Sequence, residues 1–197
     1  MTSAALAAGA LALGATTSTG SAGGGGGGGG AGSAVPLPTA RPVAASAAVA
    51  HIRESGAYRE VYAVDPELYF DYQYTRPQVK MDAEGTRSLV WPDATLWRPL
   101  HPGEGARLWL LSGFEPARAW QAFVAELIDA ALREDITGIV ALGSMMSDVP
   151  HTRPISIFAG SENEALRAEF GLEKPTYEGP AGILTVLSTA AEAAGIP

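Results

Sequence analysis

From residue 107 onward the apolar positions recur with clear periods. Residues 107–111 are a short apolar run and predict a strand, after which Gly113-Phe114-Glu115-Pro116 turns the chain into a helix with Pro116 at its first position. Along that helix Trp120, Phe123, Val124, Leu127, Ile128, Ala131 and Leu132 follow the i, i+3, i+4, i+7, i+8 spacing, which puts them on one buried face. Residues 138–142 are apolar without a break, as in the interior of a parallel sheet covered on both faces. A loop over 143–153 leads to residues 155–159, a second apolar run that predicts a strand. Ser161-Glu162-Asn163-Glu164 has capping-box spacing and opens a helix that stops at Gly171. Gly179-Pro180 opens a last helix, through Ile183, Val186, Leu187 and Ala190, that ends at Gly195.

The preceding stretch is less periodic. Residues 43–55, with Pro42 at the first position and Val49 and Ile52 as the larger apolar groups, predict a helix closed by Gly56. A strand over 60–64 follows, then Asp65-Pro66-Glu67 as a turn or single helical turn, then the aromatic run 69–74 as a strand or sheet edge. Residues 87–91 and 95–98 flank Pro92-Asp93 and predict a hairpin, and residues 101–105 a surface turn. The order of elements predicts a layered α/β domain with a mostly parallel sheet.

Composition divides the 197 residues in two. Residues 1–40 carry no charged side chain and hold twelve of the 24 glycines, eight of them consecutive from Gly23 to Gly30. Such a segment buries too little surface to offset backbone entropy, so 1–40 is expected to be a disordered Ala/Gly-rich leader before a folded domain over 41–197. Its apolar stretch lacks a preceding basic residue, which argues against a secretory signal and for a cytoplasmic protein. The glycine run follows no strand and precedes no Gly-Lys-Ser/Thr, so it is no phosphate cradle. Thirteen Lys plus Arg against 21 Asp plus Glu give a net charge of −8, the wrong sign for nucleic acid. There is no Cys, and the three histidines, His51, His101 and His151, lie some fifty residues apart, so neither a metal nor a cofactor is expected. No uninterrupted apolar run is long enough to predict a membrane span.

In open α/β sheets ligands sit beyond the C-terminal strand ends. Two segments should occupy that rim, residues 112–116 and the loop 143–154. Pro150 and Pro154 should hold His151 and Arg153 extended and facing one side, a pairing suited to a carboxylate or phosphate. The alternative is an anchored loop, with Arg153 bonded to Glu115, Asp148 or Glu178. Glu115 also has the alternative of capping the helix that follows it. Ser144 and Ser147 lack the surroundings of a nucleophile, because no G-x-S-x-G elbow is present.

These words resemble the proteasome assembly chaperone family, in its uncharacterised bacterial branch. The resemblance rests on Ser112-Gly113-Phe114-Glu115-Pro116 with Trp120, on residues 142–154 ending in Pro150-His151-Thr152-Arg153-Pro154, and on Tyr177-Glu178-Gly179-Pro180 with Gly182. Asp65-Pro66-Glu67, Asp71-Tyr72, Arg76-Pro77 and Trp91-Pro92 extend it upstream, so that it covers about residues 44–197. It implies a three-layer αβα fold similar to purine nucleoside phosphorylases, frequent homo-oligomers and, in eukaryotic and archaeal relatives, a chaperone role toward proteasome α subunits. It defines no catalytic residue. Members usually begin with a buried strand where this chain has its leader, and they continue past the position of Pro197. The domain is therefore expected to be incomplete at both ends, with unpaired strand edges. The combined expectation is a non-enzymatic protein-binding domain that uses Glu115, Asp148, His151, Arg153 and Glu178. The alternative is a nucleoside or phosphate binder, or a hydrolase-like or phosphorylase-like enzyme.

Overall fold

The elements run in the order β1 (Ala8–Leu13), α1 (Ala44–Ser55), β2 (Tyr58–Ala63), α2 (Pro66–Tyr69), β3 (Gln78–Met81), β4 (Arg87–Val90), β5 (Ala94–Pro99), β6 (Leu110–Gly113), α3 (Trp120–Arg133), β7 (Gly138–Ala141), α4 (Glu164–Phe170) and α5 (Ile183–Ala193). The computed structural model describes residues 8–13, 44–101, 107–143, 150 and 152–197. The surface turn expected over 101–105 lies, after its first residue, outside the described residues. Five strands form one sheet in the order β2-β5-β6-β1-β7, and β3 and β4 form a separate pair.

The sheet is mixed, which corrects the expectation of a mostly parallel one. β2 and β6 each pair antiparallel with β5, whereas β1 pairs parallel with β6 and with β7. The connection between β5 and β6 is too short for a crossover and reverses the chain, so these neighbours run antiparallel. The β6-α3-β7 unit is a parallel crossover, but its strands are not adjacent because β1 lies between them.

β1 is the second departure. Six residues of the segment expected to be a disordered leader form the strand between β6 and β7. A strand with two sheet neighbours satisfies its backbone groups on both sides, and the uncharged Ala-Gly-Ala-Leu-Ala-Leu sequence suits that position. β7 is then the last strand of the sheet among the described residues, with exposed Val140 and Ala141, and not the doubly covered interior strand expected.

Period-two alternation in β5 and β6 distributes the core between two faces. Leu110 and Trp97 pack with Ala45 and Val49 of α1, while Leu96 and Leu111 join Phe123, Val124, Leu127, Ile128, Ile183 and Leu187 of α3 and α5. Gly113 closes the register against Ala94, where an added Cβ would lie 2.4 Å from the Ala94 Cα, so only glycine fits.

Helix α3 has the expected stripe, except that Ala130 is buried where Leu132 is exposed. It begins at Trp120, four residues after the expected Pro116, with Ala119 in the left-handed region at φ 54° and no side-chain cap. The start is fixed from outside. The Trp120 indole N–H donates to the Pro116 carbonyl at 2.8 Å, and Ala117 N–H donates to the Tyr69 carbonyl at 2.8 Å. The Arg118 guanidinium donates to the carbonyls of Glu67, Leu68 and Phe70 at 2.9, 3.0 and 3.2 Å, tying the end of α2 to the start of α3. Arg118→Ala is expected to lower unfolding free energy by about 1–2 kcal/mol. Arg118→Lys is expected to recover little of it, because an ammonium cannot span the carbonyls as the planar fork does. Urea denaturation of both variants checks this.

Further local expectations change. Residues 69–74 are no strand. Asp71 folds them into a turn, its carboxylate accepting from Gln73 N–H at 2.9 Å and its carbonyl from Tyr74 and Thr75 N–H. The segment 87–91 pairs with β3 instead of β5. Residues 155–159 form no strand, and the contact there is an isolated parallel bridge between Gly160 and Glu173. The capping residue of α4 is Asn163, whose side chain accepts from Leu166 N–H at 3.1 Å, and not Ser161.

Candidate functional site

β6 and β7 both run parallel to β1, so their C-terminal ends lie on one rim of the sheet. Glu115 leaves that rim after β6, and Pro150, Thr152 and Arg153 belong to the loop after β7. Glu115 is half-buried, whereas Arg153 and Glu178 are exposed. Glu115 does not cap α3, which starts beyond Ala119. Arg153 N–H donates to the Pro150 carbonyl at 2.9 Å, which closes a turn in place of the extended segment expected. Asp148 and His151 lie outside the described residues, as do Ser144 and Ser147.

Among the described residues the ion pair present joins Arg98 to Glu134 at 3.3 Å, so Glu115, Arg153 and Glu178 are not held to one another. Tyr177-Glu178-Gly179-Pro180 closes on itself, the Tyr177 hydroxyl donating to the Pro180 carbonyl at 3.2 Å. A Cβ on Gly179 would stand 2.5 Å from that hydroxyl oxygen, so a side chain at 179 would displace the ring. Helix α5 then starts at Ile183 with Gly182 as its cap, beyond the Gly179-Pro180 pair expected to open it.

Immediately after the rim loop the surface is apolar. Ile155, Ile157 and Phe158 are 83%, 92% and 85% exposed. Three large apolar side chains this bare within four residues form a contiguous exposed apolar segment, not a scatter of single exposed groups.

The best-built polar constellation is one the sequence did not reveal. Glu126 of α3 accepts hydrogen bonds from the Tyr62 and Tyr69 hydroxyls, each at 2.6 Å, on its two carboxylate oxygens. Burial, reinforced by the hydrogen bond to Glu126, pushes the Tyr69 phenol up to about 12 from the usual 10.0. The same two causes raise Tyr62 further, against the opposing influence of Arg133, whose guanidinium lies 5.7 Å from the Tyr62 ring centroid. Both phenols are therefore donors held neutral, and the trio pins β2 and α2 to α3 instead of moving a proton. The available signal was a glutamate three residues after Phe123, beside the apolar stripe, without an obvious partner.

A polar cleft of about 220 Å³ lies where β5 and β6 meet the end of α3, lined by Arg98, Arg107, Arg133, Trp109, Glu134 and Asp135. Glu134 already accepts from Arg98 and, at 3.1 Å, from the Trp109 indole N–H. The carbonyl end of a helix disfavours an added anion, so the cleft reads as a structural pin. Among the described residues no group of three or more His, Cys, Asp or Glu could hold a metal ion, and no helix is long and apolar enough to cross a membrane.

Comparison with known proteins bears on what this architecture is. No curated protein matches the chain. A PAC2 family protein from Streptomyces avermitilis is 36% identical over 77% of this chain and 65% of its own, with a TM-score of 0.71. A proteasome-assembly chaperone homologue from Mycobacterium tuberculosis is 36% identical over 78% of this chain and 65% of its own, with a TM-score of 0.68. A second Mycobacterium tuberculosis protein, of unknown function, shares the fold at 20% identity over 95% of this chain and 57% of its own, with a TM-score of 0.64. The chain thus spans 65% of the length of the first two relatives. The sequence profile of the PAC2 family matches residues 43–197, and the chain belongs to that family.

Proposed function

We propose that this domain binds other proteins and that the rim after β7 is its contact surface. The observation that carries the reading is the bare apolar group Ile155, Ile157 and Phe158 directly after the Pro150–Arg153 turn. We assign to the same site exposed Arg153 and Glu178, half-buried Glu115, and Asp148 and His151 of the loop after β7. Similarity to a proteasome-assembly chaperone homologue makes proteasome α subunits the partner to test. The phosphorylase-like, three-layer architecture implied by the family is read as a scaffold without its chemistry, because a fold does not carry an activity. A cytoplasmic setting goes with this reading.

The test is capture of purified proteasome α subunits by the full chain. Retention that is lost in the double variant Ile157→Glu and Phe158→Glu, with folding unchanged by circular dichroism, supports the proposal. Saturable binding of a nucleoside or inorganic phosphate that vanishes in Arg153→Ala would replace it with the small-molecule reading. Because Arg153 is exposed, Arg153→Ala is expected to change unfolding free energy by no more than about 0.5 kcal/mol. Thermal melting reads that difference.

A further inference from the structure

Among the described residues β2 and β7 are the two outer strands of the five-stranded sheet, and they are finished differently. An outer strand presents unpaired N–H and C=O groups to other chains, and folded proteins blunt such edges with charge, proline or a bulge. β2 has two of these devices. Arg59 and Glu60 are exposed on it, and its register shifts between Glu60 and Tyr62. β7 reads Gly-Ile-Val-Ala, carries neither charge nor proline, and keeps a regular register against β1. Its Val140 is 47% exposed.

The outer side of β7 already bears one rung. Ile139 N–H donates to the Pro197 carbonyl at 2.9 Å, and Ile139 and Ile196 both pack into the core beneath α3 and α5. Backbone groups alternate in direction along a strand, so the Ile139 carbonyl and the Ala141 N–H and carbonyl point the same way as this rung. Among the described residues nothing bonds to them. A hydrogen-bonded antiparallel pair exchanges two bonds, and proline has no N–H to return one. The rung at Pro197 therefore has the form of a parallel ladder. Continued along β7, that ladder sets one residue beside Ile139, the next beside exposed Val140 and the third beside Ala141.

We propose that β7 receives an extended, uncharged segment of another protein as an added strand, parallel to β7. The backbone identifies the occupant as a strand. A helix or a flat apolar surface covers Val140 but leaves the Ala141 N–H and the two carbonyls unbonded, whereas strand addition satisfies both. The lack of any charge on β7 selects an uncharged segment, because an ionic side chain there would find no partner. The segment leaves the sheet at the C-terminal end of β7, on the rim that bears Glu115 and the Pro150–Arg153 turn, so edge and rim form one continuous surface. The inference rests on the protein-binding reading and deepens it by naming the mode of recognition.

The probe is a short blocked peptide of alternating valine and threonine, titrated into the full chain by calorimetry while amide hydrogen exchange is followed by NMR. Saturating peptide should slow exchange at Ala141 about tenfold and leave Ile139, which is already bonded, unchanged. With valines beside Ile139 and Ala141, the threonine N–H groups face β7. The same peptide N-methylated on its threonines keeps every side chain but loses those donors, and should bind at least about tenfold more weakly. Ala141→Pro removes an N–H that points away from β1, so it should abolish binding with circular dichroism unchanged. If that variant fails to fold, the methylated peptide decides, because it leaves the protein untouched. No binding, equal binding of the two peptides, or no added protection at Ala141 would each overturn the proposal. Sedimentation velocity showing that this edge closes on a second copy would do the same. Capture of α subunits can persist in each of these cases, so failure of the strand site is distinct from failure of the protein-binding reading.

Discussion

Replacing Phe123 by alanine is expected to lower unfolding free energy by about 3–5 kcal/mol. Phe123 is completely buried, its ring edge-on to Tyr69 at 5.2 Å and to Phe70 at 6.5 Å, and Phe70 is in turn edge-on to Phe114 at 6.4 Å. The four rings join α2, the segment after β6 and α3, so truncation at the centre leaves a void that no single neighbour can fill. Small domains have about 5–15 kcal/mol in all, and a loss of this size consumes a large part of it. Phe123→Leu keeps most of the volume and should cost less than half as much. Urea denaturation of the two variants separates a central residue from a peripheral one, and a loss below about 1 kcal/mol for alanine would contradict the packing described.

How much of this was legible in the sequence follows from how local each cause is. Helix α3 was readable because Phe123, Val124, Leu127, Ile128 and Ala131 repeat along one face, and that pattern is complete within the helix. Its start was not, because Arg118 is held by carbonyls some fifty positions upstream. Residues 87–91 read correctly as a strand but acquired the wrong partner, since pairing depends on the Asp82 turn that returns the chain to β3. Residues 155–159 show the converse. Their composition favours a strand, yet composition cannot provide a neighbouring edge, and among the described residues the pairing there is limited to the bridge at Gly160 and the bond from Glu173 N–H to the Ala159 carbonyl. β1 was concealed by low complexity, because small uncharged residues that lack distinguishing marks in a leader are also acceptable between two strands. Of the candidate site, the chain order of residues 112–116 after the start of β6 and of residue 143 onward after β7 was legible, but not the geometry of the residues there. The turn at Pro150 to Arg153 and the exposure of the apolar run after it depend on packing, and the Tyr62, Tyr69 and Glu126 trio spans separations of 57 and 64 positions.

That trio gives the second large effect. Glu126→Gln retains one acceptor oxygen and replaces the other with an amide donor, so one phenol then faces a group that cannot accept. The expected cost is about 1–3 kcal/mol, set by the hydroxyl left without a partner. The pH dependence distinguishes this from a general loosening. The Tyr69 phenol rises to about 12 in the folded chain against an ordinary 10.0, so folding favours the neutral form. Its contribution is complete below pH 10 and is lost as pH rises through 12, so wild-type stability should decline across that window. Burial is the larger cause of the shift and survives in Glu126→Gln, while the carboxylate's share does not. The variant should therefore begin less stable and decline less steeply above pH 10, whereas Tyr69→Phe removes Tyr69's part of the decline altogether. Urea denaturation at intervals from pH 8 upward measures both slopes. Identical alkaline slopes in wild type and Tyr69→Phe would show that the buried phenol is not what the hydrogen bonds to Glu126 are holding.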